Sequence, residues 1–386
     1  MKTQKFMVAA LIVPLLLLAA CSSGGSNGVS TDPILIGTIN SMTGAGAAYG
    51  EAASRGSDLA AKEINARDGK CYNGAPVELK HEDGKGTAQD AITAAQKLIT
   101  RDKVNAIVGG ASSTEALATA TVTKDQVINV NTLAQSDQIT ADGGALTFQI
   151  NNTSTQMGAL FNKYITGQMG IESLVYMGQD SEFNTGNLEV LKAALAGTGV
   201  TLLDTAVYQT DTKDFTPILN KLKQANADAI YVSSPDATST SAIMPQLRQV
   251  GGFNKVIFAP GTISPAVISA AGPSLNGANG GDIYTPTIDT AANKKFVAAY
   301  QAAYPGQLPG RPELVNYEGI YVVCNAMTAA KSSTDQQAIA KAIEGLTLES
   351  PRGTITWNDK HWPISQSFFI VQVDNGQAKV IDQVKS

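Results

Sequence analysis

The sequence predicts an α/β protein built as two doubly wound parallel-sheet lobes joined by a three-crossover hinge. Short apolar runs alternate with amphipathic helical segments along almost the whole chain, the pattern of buried parallel strands with helical connections. The repeats are too many for one sheet. Three stretches, 148–152, 283–287 and 357–366, read as passages between lobes. On that division 33–148 with 285–362 forms the first lobe and 149–284 with 363–386 the second.

The chain opens with Lys2, Lys5 and an apolar run over 6–20. That run is too short for a bilayer span of about 20 residues and suits the core of a signal peptide over 1–20. Leu18-Ala19-Ala20-Cys21 is similar to a bacterial lipobox, in which the cysteine is lipidated and becomes the mature N-terminus. Residues 21–32 are rich in Ser, Gly and Asn and read as a lipidated flexible tether. The expected location is therefore outside the cytoplasm, on a membrane surface.

Strand 34–39 follows, then a glycine-rich loop 41–50 leading into a helix that ends near 67. Strand 77–82, helix 88–99, strand 104–108 and strand 127–130 continue the first lobe, and 146–150 begins a new segment. The rhythm then repeats with helix 155–168, strand 173–177, helix 188–196, strand 202–208, helix 215–225, strand 229–232, helix 239–250 and strand 255–259. Segments 293–304 and 313–330 read as helices separated by the Pro/Gly-rich 305–312. Segments 368–373 and 378–381 read as a strand pair about Asp374-Asn375-Gly376.

Hydrophobic residues at 43% and charged residues at 16% support a sizeable core beneath a modestly charged surface. A net charge of -5 offers no basic footprint for nucleic acid. With Cys21 lipidated, Cys71 and Cys324 remain, either as one disulfide of an oxidising compartment or as two unpaired thiols.

The stretch from Val104 to Thr114 organises the rest. A core strand ends in Gly109-Gly110, where the backbone turns tightly, and Ser112-Ser113-Thr114 head the next helix. A helix start with free N–H groups and short hydroxyls suits a small anion, above all a carboxylate. An open α/β sheet binds ligands beyond the carboxyl ends of its strands, which is where these residues fall.

Enzyme chemistry finds little support. Gly44 to Gly50 is similar to a dinucleotide-binding loop, but its spacing is one residue too long. His81 and His361 form no metal-ligand set, and His81 beside Glu82 and Asp83 reads as a solvated turn. The nucleophile signature Ser-x-x-Lys is absent. No catalytic residue, metal or cofactor is expected.

The lipobox, the opening Ile34-Leu35-Ile36-Gly37-Thr38-Ile39-Asn40-Ser41-Met42-Thr43-Gly44, then Tyr49-Gly50, Ala61-Lys62-Glu63-Ile64-Asn65, Val108 to Thr114 and Asp214-Phe215 resemble the branched-chain amino-acid (Leu/Ile/Val) type of periplasmic solute-binding protein. The resemblance covers essentially the whole mature chain. It implies a type I two-lobed fold in lipoprotein form that delivers a ligand to an ABC importer. It also implies a ligand carboxylate on Ser112 and Ser113, aromatic walls from Tyr49 and Phe183, and a Cys71–Cys324 bridge within one lobe. The implied partners are a small molecule, the importer permease and, through the lipid, a membrane surface; the chain is expected to be a monomer. A lipid-anchored sensor reporting to a membrane kinase is the competing function.

The chain departs from the resemblance where the ligand ammonium would bind. Acidic side chains are expected in the second lobe, yet Ser154-Thr155-Gln156 and Pro260-Gly261-Thr262 stand there. Asp236 is the one nearby carboxylate that could substitute, and Gln135 offers an amide in place of a small hydroxyl. A carboxylate or amide lacking the α-ammonium is therefore a rival to a branched-chain amino acid.

Overall fold

The computed structural model describes residues 32–234, 236–364 and 367–385. The expected signal peptide, Cys21 and nearly all of the expected tether lie outside the described residues.

The chain runs β1 (Ile34–Asn40), α1 (Ala47–Ala66), β2 (Val77–Asp83), α2 (Ala88–Thr100), β3 (Ala106–Gly109), α3 (Ser113–Thr123), β4 (Ile128–Asn131), α4 (Gln138–Gly143) and β5 (Thr147–Gln149). These five strands form one sheet in the order β2-β1-β3-β4-β5, parallel throughout. Alternation along the strands shows that both faces are covered. Ile36, Ala106 and Val108 belong to one core, whereas Ile39 and Ile107 turn to a second core with Ala94 and Leu98 of α2.

The chain then leaves for the second sheet. It continues through α5 (Ser154–Gln168), β6 (Ser173–Gln179), α6 (Glu182–Leu195), β7 (Thr201–Tyr208), α7 (Thr216–Lys223), β8 (Ala229–Ser233), α8 (Ala237–Val250), β9 (Lys255–Phe258), α9 (Pro265–Ala271) and β10 (Ala278–Asp282). It returns for α10 (Ala291–Ala303), α11 (Arg311–Ala330), which packs on α1, and α12 (Gln336–Glu344). A small antiparallel sheet of β11 (Leu348–Ser350), β12 (Gly353–Trp357) and β13 (Pro363–Ile364) follows. The last passage leads to β14 (Ser367–Asp374) and β15 (Gln377–Lys385). The second sheet has the order β15-β14-β10-β9-β8-β6-β7, with β14 antiparallel to β10 and to β15 and the other pairs parallel. The architecture is thus a two-lobed α/β fold.

Two devices fix the passages. Arg352, paired with Glu318 of α11 at 2.9 Å and buried with it, donates to the carbonyl of Ile150 at 2.6 Å and to Asn152 at 3.3 Å, which clamps the first passage. The indole of Trp357 donates to the carbonyl of Gln149 at 2.8 Å. Cys71 and Cys324 are joined as a disulfide with their Cα atoms 5.4 Å apart, tying the segment after α1 to α11.

Two local readings need correction. His81 is not in a turn: it lies within β2, its ring bridging Thr38 at 2.7 Å and Asp58 at 3.1 Å. Tyr49 does not sit in an open loop, because α1 begins at Ala47 and carries it in its first turn.

Candidate functional site

β1, β3 and β4 end side by side, so the loops beyond their carboxyl ends converge. Gly109 and Gly110 take φ values of 151° and 94°, and a Cβ on Gly110 would stand 2.6 Å from Asn131 Oδ1 and 2.9 Å from Ala116 Cβ. Only glycine lets the chain turn here into α3. Ser112 caps α3, its hydroxyl accepting from the Glu115 amide at 3.2 Å. The Ser113 hydroxyl, buried, accepts from the amides of Gln135 and Ser136 at 3.3 Å each and so fixes the loop after β4. The first-turn amides of Ser113 and Thr114 keep no partner within the helix, as at any helix start.

Ala111, Ser112 and Ser113 line a cavity of about 30 Å³ between the lobes. Tyr49 of α1, Leu133, Ala134, Gln135 and Arg311 of α11 form the rest of its first-lobe wall, and Phe183 of α6, Ser234, Gly261 and Thr262 close it from the second lobe. Tyr49, Ser112, Ser113, Gln135 and Phe183 therefore come together. A groove of about 450 Å³ adjoins it, sharing Tyr49, Ser112, Ser113 and Phe183.

Asp236 is not on the wall of the inner cavity. It caps α8, with Oδ1 accepting from the Ser239 amide at 2.6 Å and Oδ2 from Gln179 Nε2 at 3.0 Å, and it lines the adjoining groove. Its place before a helix decides this, since an Asp in extended backbone at that point satisfies the first-turn amides. Burial raises its pKa, opposed by the hydrogen bonds from Ser239 and Gln179.

Sequence reasoning missed Arg311. It is the first residue of α11, 6% exposed, and it forms part of the cavity wall. Its Nε faces Asp282 at 3.3 Å and 3.4 Å, Nη1 donates to the carbonyl of Leu133 at 3.4 Å, and Nη2 donates to the carbonyl of Gly261 at 2.8 Å. A signal was available: no other Lys or Arg stands between Lys295 and Lys331. A cation at a helix start opposes the macrodipole, so something outside the helix must hold it.

Three successive carbonyls of the second lobe are each taken by a first-lobe donor. Gln135 Nε2 donates to Pro260 at 3.0 Å, Arg311 Nη2 to Gly261 at 2.8 Å and the Tyr49 hydroxyl to Thr262 at 2.9 Å. Burial pushes the Tyr49 pKa far above its ordinary value, which keeps the hydroxyl a donor. Thr238 Oγ1 of α8 adds a bond to the carbonyl of Ala45 at 3.2 Å. The segment 260–262 is the latch of the cleft.

A family model for periplasmic binding protein matches residues 33–378. The chain belongs to that family. Among its relatives is a protein of Brucella melitensis described as Leu/Ile/Val-binding protein homolog 3, 25% identical over 89% of this chain and 92% of that one. The branched-chain amino acid transporter substrate binding protein LivJ of Streptococcus pneumoniae, solved with isoleucine, superposes with a TM-score of 0.83 at 23% identity, covering 92% and 100% of the two chains. A solute binding protein of an ABC transporter from Rhodopseudomonas palustris, solved with 3,4-dihydroxybenzoic acid, gives a TM-score of 0.83 at 25% identity over 92% and 98%. This periplasmic binding protein is therefore a non-catalytic, extracytoplasmic ligand-binding protein of the ABC-importer solute-binding kind.

Proposed function

We propose that this binding protein captures a small organic carboxylate between its lobes and hands it to the permease of an ABC importer. The observation that carries the reading is the start of α3, where Ser113 lines both the inner cavity and the adjoining groove and Thr114 the groove, at a helix start whose first amides have no partner within the helix. A carboxylate there accepts from both amides and sits at the positive end of the helix dipole. Tyr49 and Phe183 close on the body of the ligand and select its shape without adding charge. The relatives bracket the ligand class, one solved with an amino acid and another with an aromatic acid. The mature protein is a monomer beginning at lipidated Cys21. Changing Cys21→Ala is expected to release it from membranes, and unaltered attachment would remove the anchor.

Thermal unfolding with leucine, valine, phenylalanine, 4-methylpentanoate, 3-phenylpropanoate and benzoate tests the function. A ligand at 100 times its Kd stabilises by about 2.7 kcal/mol. At least one carboxylate is expected to do so, and Ser113→Ala should weaken it. If no carboxylate stabilises the protein while a neutral solute does, the reading fails.

A further inference from the structure

We infer that Arg311 sets the charge this site accepts, selecting carboxylates that carry no α-ammonium; the inference rests on the carboxylate reading above. Arg311 is the one charged residue on the wall of the inner cavity among the described residues. Its guanidinium divides two spaces. The Nη end bonds Leu133 and Gly261, both cavity residues. The Nε end faces Asp282, which is absent from that wall and borders a separate hinge-side groove together with Arg311. A molecule in the cavity therefore meets the cation before its counter-ion.

The donor inventory points the same way. A guanidinium has five N–H groups, two on each Nη. One on Nη1 and one on Nη2 are engaged by the carbonyls of Leu133 and Gly261, which leaves one on each nitrogen. Two such donors on one planar fork suit the two oxygens of a carboxylate.

An ammonium finds no carboxylate on the inner wall. Asp236 and Asp180 both lie on the adjoining groove, Asp236 accepting from Ser239 and Gln179 and Asp180 from Gln209 at 3.2 Å. Asp282 stands behind Arg311, with Oδ1 also accepting from the amides of Ile283 at 2.7 Å and Tyr284 at 3.3 Å. A zwitterion would bring its positive end into a small, desolvated space walled by another cation, where like charges are poorly screened. A simple carboxylate brings only the sign that the wall and the α3 amides favour.

Matched pairs of probes test this: L-leucine against 4-methylpentanoate and L-phenylalanine against 3-phenylpropanoate, by calorimetry on the wild-type protein. Each deaminated acid is expected to bind at least about 100-fold more tightly than its amino acid. Arg311→Gln strands Asp282, so the double variant Arg311→Gln with Asp282→Asn, which removes both charges, is measured beside it. In the double variant the preference should fall at least tenfold, through weaker acid binding. Binding of leucine as tight as that of 4-methylpentanoate would overturn the inference while leaving the carboxylate reading intact. So would an unchanged preference in the double variant. Absence of binding by every carboxylate would take both down together.

Discussion

Glu115 occupies the third position of α3 with its carboxyl turned inward, where Oε2 accepts from Ser41 Oγ at 3.0 Å and from the Ala111 amide at 3.1 Å. Oε1 has no partner and packs against Gly84. Burial pushes the pKa from 4.5 up to about 7, opposed by the bonds from Ser41 and the amides of Ala111 and Ser112. The folded protein therefore holds a proton that the unfolded chain has released, so stability falls as pH rises from about 4.5 to about 7 and levels off above. The shift corresponds to about 3 kcal/mol. Burial raises Asp236 and Asp282 with the same sign. Urea unfolding across this range should show the slope, and Glu115→Gln should flatten it by about 3 kcal/mol; an unchanged slope in that variant contradicts the assignment. Other residues of the site differ in how legible they are. Ser112 and Ser113 stand out because a strand, two glycines and three hydroxyls follow one another in sequence. Arg311 does not, since its partner Asp282 is 29 residues away and its helix start disfavours a cation.

Among the elements, strands and helices with clear apolar periods fall close to their sequence-based limits, as α2 and β2 do. Those hidden lack such a period. β10 reads Ala-Asn-Gly-Gly-Asp, yet it is buried between β9 and β14, and its glycines admit Ile263 and Phe368, whose atoms a Cβ would meet at 2.8 Å and 2.4 Å. Its strand state comes from its neighbours rather than its own side chains. Helix α6 begins at Glu182, well before the expected 188, because Ser181 caps it and accepts from the Asn184 amide at 3.3 Å. That early start puts Phe183 on the cavity wall. The disulfide belongs to this scale as well, since it ties the segment after α1 to α11 across a sequence separation of 253 residues. A bridge closing so long a loop typically contributes ~2–4 kcal/mol. Reduction should lower the unfolding free energy by about that much, and thiol titration of the unfolded, unreduced protein should find neither Cys71 nor Cys324 free. Two reactive thiols there would show that the bridge does not form in solution.

At the scale of the whole molecule, closure depends on how much of the lobe contact is independent of ligand. The bonds from Gln135, Arg311 and Tyr49 to the carbonyls of 260–262 join protein to protein, so they favour the closed arrangement whatever the cleft holds. A hydrogen bond of this kind contributes about 1 kcal/mol net, and one to a charged group about 2 kcal/mol, so the latch shifts the open–closed balance by several kcal/mol. Gly261 is the point where it can be weakened selectively. Its φ is 81°, and a Cβ there would lie 2.5 Å from Arg311 Nη2 and 2.8 Å from Gln135 Nε2. The backbone strain of Gly261→Ala is carried in both arrangements and leaves their ratio unchanged. The clash exists only when the first-lobe donors are docked on the segment. Gly261→Ala is therefore expected to open the cleft without unfolding either lobe. X-ray scattering should give a larger radius of gyration than for the wild type, and carboxylate affinity should fall at least tenfold, because part of the binding energy now goes into closing the lobes. Tyr49→Phe, which removes one bond and keeps the aromatic wall, should move both quantities in the same direction by less. A radius of gyration for Gly261→Ala equal to that of the wild type, with affinity unchanged, would show that the 260–262 segment does not hold the lobes together.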